Sequence, residues 1–199
     1  MSTYTIPYVT VTTSSGERTV DVYSRLLAER IVYLGTAVDQ GVANATIAQL
    51  LHLESEAPDR PISLYINSPG GAVPAVLAVY DAMQFVRAPI ETTCVGEAVG
   101  SAALLLAGGA PGRRSILRHG RVVLHPPMTE GGRAAIPDLV IEAEEIERVR
   151  RLQEQILADR TGRDAEQVRR DIERQLVLAP DAAIDYGIVD VVVADRAVA

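Results

Sequence analysis

Apolar residues in the first two thirds of the chain come in short β-branched and aliphatic runs, each closed by glycine or proline and followed by helical spacing. Three such runs, Arg30–Leu34 (RIVYL), Ile62–Ile66 (ISLYI) and Ile90–Val95, predict strands. Asp39 is placed to cap a helix reaching about Glu56, with Val42, Ile47, Leu50 and Leu51 as its apolar face, and Pro58 stops it. A second helix is expected from Pro74 to Val86, after the turn Asn67-Ser68-Pro69-Gly70-Gly71. A third runs from Ser101 to Ala107 and is closed by the turn at 108–112. Short strands fit Arg114–Leu117, Val122–Leu124 and Ile188–Val193. Strands and helices alternating through short turns predict a parallel α/β sheet with right-handed crossovers.

The two ends of the chain read differently. Residues 1–19 are polar and β-branched, with a turn at Ser14-Ser15-Gly16. No core pattern runs through them, so they read as a mobile arm or loop ahead of a single domain over 20–195; Tyr4–Thr13 alone has the composition of one hairpin arm. Beyond His125, residues 126–132 are loop-like. From Pro137 to about Arg160, Leu139, Ala143, Ile146, Val149, Leu152 and Ile156 recur every three or four positions, and Gly162 ends the pattern. A helix of about 24 residues spans roughly 36 Å. That is long for a chain of 199 residues, and a protruding helix calls for a partner subunit. Its acidic first half and arginine-rich second half follow the helix dipole, and a solvated face accounts for the same charges. Asp164 and Gln167 have the spacing of a capping box.

Composition narrows the function classes. With 48% hydrophobic and 23% charged residues the chain can bury one sizeable core, and a net charge of −7 argues against a dedicated nucleic-acid binder. Cys94 is the only cysteine, so no intrachain disulfide forms, and inside a strand it reads as a small buried apolar residue. Three histidines and one cysteine show no metal-ligand spacing, and no cofactor is expected. No apolar run approaches the ~18 residues of a membrane span, which leaves a soluble, cytoplasmic protein as the expectation.

Candidate chemistry gathers at two turns. The Ser68–Gly71 turn and the stretch Gly96–Ser101 both follow strands and open helices. In a parallel sheet two adjacent turns of this kind open on the same edge, where backbone N–H groups can converge on an oxyanion. No lysine follows, so neither is a phosphate-binding loop. A tight turn needing positive φ explains the glycines equally. Ser101 is a candidate nucleophile, and His125, leaving the apolar strand RVVLH before Pro126-Pro127, a candidate base; a structural histidine is the plainer reading. His52 and His119 suggest no chemistry.

Several segments together resemble one family: GERTVDVYSRLLAERIVYLG, LYINSPGGAV, YDAMQF, CVGEA, GAPGRR, RVVLHPP and IDYGIVD, in family order from about Gly16 to Val192. The chain resembles the proteolytic subunit of Clp proteases, serine peptidases of the crotonase-like fold. The resemblance implies a parallel-sheet spiral with a protruding handle helix (region about 126–160). It also implies heptameric rings that stack into a fourteen-subunit chamber, an ATP-driven AAA+ unfoldase as partner, and peptide or protein substrates.

The family's catalytic residues carry over only in part. Its nucleophile motif resembles G-x-A-[AS]-S-[MA]-[GA]-A, which places Gly100 at the nucleophile position and Ser101 one residue late. The histidine falls on His125. The acid segment, similar to R-D-x-x-R-D-[RK]-[FY], places Gln175 at the acid and Leu176 at the neighbouring arginine. Asp171, one turn earlier, has no catalytic counterpart. Gly71 and Ser101 fall at the two oxyanion-hole amides. A one-residue shift on a helix turns a side chain by ~100°, and an amide in place of a triad aspartate costs about 10⁴ in rate. Tyr65 and Phe85 match the unfoldase docking pocket, while Ser63, Thr93 and Ser115 replace its usual apolar side chains, and one extra residue falls between His125 and Asp138. The expectation is a ring-forming Clp-type subunit, weak or inactive alone, a pseudoenzyme working with itself or an active paralogue. The alternatives are an active serine endopeptidase using Ser101 and His125, and a non-peptidase acyl-transfer or hydrolase enzyme of the same fold.

Overall fold

The computed structural model describes residues 5–13, 16–127 and 135–193. The chain opens as an antiparallel hairpin, β1 (Tyr8–Thr13) with β2 (Gly16–Asp21), in register from Tyr8 opposite Asp21 to Thr13 opposite Gly16. This differs from the irregular arm expected from the sequence. The hairpin forms a separate two-stranded sheet and contributes nothing to the buried core, which is why no core pattern marks it. Asp21 then caps α1 (Val22–Ala28), accepting the Ser24 N–H at 2.9 Å and its hydroxyl at 2.6 Å. That helix was not expected, since none of its residues is fully buried.

The remainder follows the alternation in the sequence. β3 (Ile31–Leu34), α2 (Gln40–Glu56), β4 (Ile62–Ser68), α3 (Val73–Phe85), β5 (Ile90–Val99), α4 (Ala102–Ala107), β6 (Arg114–Leu117) and β7 (Arg121–Leu124) come in that order. After them come α5 (Ile136–Thr161), α6 (Ala165–Asp171), β8 (Leu176–Leu178), α7 (Pro180–Tyr186) and β9 (Val191–Val193). The main sheet runs β3-β4-β5-β6-β9 with every neighbour parallel. β5 is ten residues long, not six. Its first half pairs with β6 and its second half, Glu97–Val99, with β7, which carries β8 antiparallel. One strand thus serves two partners in sequence and delivers its far end to a second edge of the sheet.

Strand β4 alternates cleanly. Ile62, Leu64 and Ile66 are fully buried, while Ser63, Tyr65 and Asn67 point the other way. Leu50 and Leu53 of α2, Val76 and Val79 of α3, and Leu104, Leu105 and Leu106 of α4 fill the same core. Asp39 caps α2 through the Val42 N–H as expected. Asp164 accepts from the Gln167 N–H, but the Gln167 side chain turns to Asp171, so the capping box is half made. Among the described residues no helix is long and apolar enough to cross a membrane.

The long helix α5 has 26 residues and splits in two. From Val149 onward it packs on the core through Val149, Ile156, Leu157 and Ala158. Its first half leaves the chain, with Ile136, Val140 and Ile141 exposed, so the apolar stripe seen in the sequence is only half used within one subunit.

Arg114 ties the end of the fold together. Its guanidinium bonds both oxygens of Asp190, at 2.6 and 3.1 Å, and donates to the carbonyls of Arg160 and Gly187. Burial alone would raise the Asp190 carboxyl, but hydrogen bonds from the Arg114 side chain and backbone outweigh it and hold the group below its ordinary value. A lowered folded-state pKa gives stability that is present above the unfolded value, about 3.9, and lost as the pH falls through the folded one. Unfolding midpoints are therefore expected to drop below about pH 4, less steeply in Asp190→Asn; identical slopes would remove this pair from the acid response.

Candidate active site

Two parallel strands end side by side. At the end of β4 the buried Ser68 hydroxyl donates to the Thr36 carbonyl at 2.7 Å and accepts the Gly70 N–H at 3.2 Å. Val38 N–H donates to the Gly70 carbonyl at 2.8 Å, and Ala72 N–H to the Val38 carbonyl at 3.0 Å. The turn is thereby laced to the segment after β3, and the Gly71 N–H is left facing the end of β5. There Gly100 adopts φ +56, a left-handed conformation that glycine enters without penalty, and its N–H donates to the Val123 carbonyl at 2.7 Å. Ser101 follows at the head of α4.

The two turns meet through a side chain, Ser101, against the backbone of Gly71. The Ser101 hydroxyl accepts the Gly71 N–H at 3.2 Å and donates to the Gly71 carbonyl at 3.2 Å. Ser101 is 5% exposed, and no hydrogen bond joins it to His125 among the described residues. Its hydroxyl thus occupies the Gly71 N–H, one of the two amides expected to form an oxyanion hole.

The side-chain direction that does face His125 belongs to residue 100. A Cβ built on Gly100 would lie 2.5 Å from His125 Nε2 and 2.7 Å from its Cε1. The ring occupies the space a side chain there would fill. His125 Nδ1 lies 2.7 Å from the Pro126 carbonyl, and since a carbonyl only accepts, Nδ1 carries the proton. In the neutral ring Nε2 is then an acceptor. It has the tautomer of a general base, held by a neutral backbone oxygen, and looks onto a glycine.

The residue expected at the acid position, Gln175, is placed by the same edge of the sheet. Leu124 pairs with Leu176 in the β7–β8 ladder, so the residues flanking them, His125 and Gln175, stand across from each other and line one cleft with Pro126 and Arg174. Gln175 is exposed and makes no hydrogen bond to His125. Asp171 is committed elsewhere, accepting from the Gln167 amide and from the Tyr186 hydroxyl at 3.2 Å. The nearest acid on the same loop, Glu173, is paired with Arg150 at 2.5 Å.

Gln153 of α5 also lines the Gly71–His125 cleft, and sequence reasoning missed it. The signal was there. Val149, Gln153 and Leu157 share one helical stripe at intervals of four, yet the neighbouring Leu152, 36% exposed, looked like the core residue. Cys94 is fully buried, and burial pushes its thiol up to about 11, which keeps it unreactive at neutral pH.

The other singled-out residues lie away from this cleft. Tyr65 sits on the outward face of β4 between Tyr33 and Thr93, and Phe85 ends α3 at 77% exposure. Thr93 and Ser115 satisfy each other through a 2.9 Å hydroxyl pair. Gly131, Gly132 and the rest of 128–134 lie outside the described residues, and with them most of the stretch between His125 and Asp138 in which one extra residue was expected.

A family model described as Clp protease matches residues 14–196. The "ATP-dependent Clp protease proteolytic subunit 1" of Nocardia farcinica is 56% identical over 197 residues, covering 98% of this chain and 100% of that protein. Subunit 4 of Rhodococcus jostii is 52% identical over 194 residues, with 98% and 100% covered. Subunit 2 of Streptomyces avermitilis is 50% identical over 196 residues, with 98% of each covered.

Proposed function

The chain belongs to the Clp protease family, and from that premise we propose that it is a ring-forming proteolytic subunit that holds peptide but hydrolyses it weakly or not at all alone, beside an active paralogue in the cytoplasm. One observation carries the reading: the side-chain direction that meets His125 Nε2 starts from Gly100, while the Ser101 hydroxyl is bonded to both backbone groups of Gly71. A nucleophile must stand within hydrogen-bond reach of its base, and misplacement of ~1 Å already lowers rates about 100-fold. Gln175 across from His125 adds a second defect, since a neutral amide gives an imidazolium no counter-charge.

Two further features support assembly. The uncovered half of α5, with Ile136 and Ile141 exposed, is a surface a second subunit would bury. The relatives carry subunit numbers 1, 4 and 2 in their names, which fits mixed rings of non-identical subunits. The same names call the relatives ATP-dependent, which favours an AAA+ unfoldase as partner. The polar Thr93–Ser115 pair beside Tyr65 supports a docking surface that grips an aliphatic anchor less firmly.

The pure protein is expected to leave small fluorogenic peptides intact and to resist a fluorophosphonate probe. Labelling of the wild type that vanishes in Ser101→Ala would establish Ser101 as a working nucleophile and end this proposal.

A further inference from the structure

Among the described residues Gln153 Oε1 is the only buried side-chain oxygen or nitrogen without a hydrogen-bond partner. Its residue is 4% exposed. The contrast with its neighbour is sharp: Glu154, equally buried, is paired with Arg150 at 2.8 Å. Native structures pair nearly all buried polar side-chain atoms, and an amide left over in a cleft wall calls for a reason. An apolar residue would extend the stripe of Val149 and Leu157 without any such penalty.

The cleft that Gln153 lines has a volume of about 190 Å³. That is below the ~300 Å³ at which small-molecule sites begin, and it suits one side chain of a larger ligand. Pro69, Val73, Pro126 and Pro127 give it apolar walls, and Gly100 and His125 also line it. Among the described residues that line it there is no Asp, Glu, Lys or Arg, so against these walls an incoming charge would be desolvated with no formal counter-charge. A neutral hydrogen-bonding group would not. The amide presents one acceptor and two donors, and its terminal torsion is soft and roughly two-fold, so a half-turn about it exchanges which end faces the cleft.

We infer that Gln153 makes this cleft a selective pocket for one neutral polar side chain of a bound peptide, a carboxamide before all others, in preference to an aliphatic one. The inference rests on reading the cleft as a peptide site. Loss of catalysis at Gly100 does not enter it. A carboxamide fits best because it returns both a donor and an acceptor to the Gln153 amide.

The test uses two N-acetylated, C-amidated tetrapeptides that differ only in one residue, glutamine or leucine, titrated into the wild type and Gln153→Met and followed by NMR. The wild type is expected to prefer the glutamine peptide by about tenfold, the ratio one net hydrogen bond supplies, and Gln153→Met to lose or invert that preference. The thermal midpoint of Gln153→Met should rise, because methionine fills similar volume without an unpaired amide. Equal affinities in the wild type, a leucine preference, or a glutamine preference that survives Gln153→Met each overturn the inference, and so does a lower midpoint, which would mean the amide is already satisfied within the fold. If no peptide binds the wild type, the peptide-site reading falls and takes the inference with it. Fluorophosphonate labelling of the wild type would remove only the proposed loss of activity, since the binding preference requires no hydrolysis.

Discussion

Gly100→Ser combined with Gln175→Asp is expected to raise peptide hydrolysis by about 10⁴-fold or more over the unmodified chain, the scale of a triad aspartate or a nucleophile. The two changes act on one ring. A serine Cβ at position 100 would stand 2.5 Å from His125 Nε2, so the ring must give way. What holds the ring is the 2.7 Å bond from Nδ1–H to the Pro126 carbonyl. An aspartate opposite His125 would draw that proton across the β7–β8 ladder, turn the ring and supply the charge an imidazolium needs. Gly100→Ser alone meets a ring still held to Pro126, and Gln175→Asp alone orients a base with nothing to deprotonate. The pair should therefore exceed the product of the single changes by a wide margin, as residues acting as a unit do.

The left-handed backbone at residue 100 is no obstacle, because strand-to-helix nucleophile turns carry such strain as a matter of course. Initial rates on a fluorogenic peptide, with fluorophosphonate labelling mapped to residue 100, measure the outcome. Adding Ser101→Ala should not lower the rate, since it only releases the Gly71 N–H from its present acceptor. A double variant no faster than the better single one would mean that the ring and the acid position are not coupled.

How much of this was legible beforehand depends on which residues point inward. β4 was readable because its buried positions alternate within one strand, as in Ile62, Leu64 and Ile66. On α2 the span and cap were readable, but of the face expected at Val42, Ile47, Leu50 and Leu51 only Leu50 is fully buried, and Leu51 is exposed while Leu53 turns inward. Strand β5 was cut short at Val95, because its second half meets β7, and no local pattern announces a strand that changes partners at Gly96. Among the described side chains of the hairpin and α1 none is fully buried, so their order comes from backbone pairing and the Asp21 cap, which leave a faint trace in hydropathy. At the site, the identities of residues 100, 101, 125 and 175 were readable in the chain, while the direction of each side chain was not. That Ser101 turns to Gly71 and that Gly100 faces His125 follow from a φ angle and a turn laced to Val38. Gln153 was hidden by a different effect. A helical stripe drifts in phase, and two adjacent residues, Leu152 and Gln153, competed for the core until packing chose the polar one.

Gly71→Ala is expected to cost about 3 kcal/mol or more and to abolish peptide binding by pulling the cleft apart. A Cβ at residue 71 would overlap the Val38 carbonyl oxygen and come within 2.6 Å of its nitrogen and 2.8 Å of its carbonyl carbon. These are backbone atoms of a residue 1% exposed, locked on both sides by hydrogen bonds to Gly70 and Ala72, and they cannot swing aside as a side-chain tip would. Relief requires the turn to move off the segment after β3, which would carry the Gly71 N–H away from Ser101 and the cleft wall away from His125. Gly112 supplies the control. It also has positive φ, +78, yet nothing lies within 4 Å of an added Cβ, so Gly112→Ala should show only the left-handed penalty of roughly 1 kcal/mol. Urea midpoints of the two variants separate the effects. Equal losses would mean that conformational strain alone sets the cost at residue 71, and that the close approach to Val38 is not what shapes the cleft.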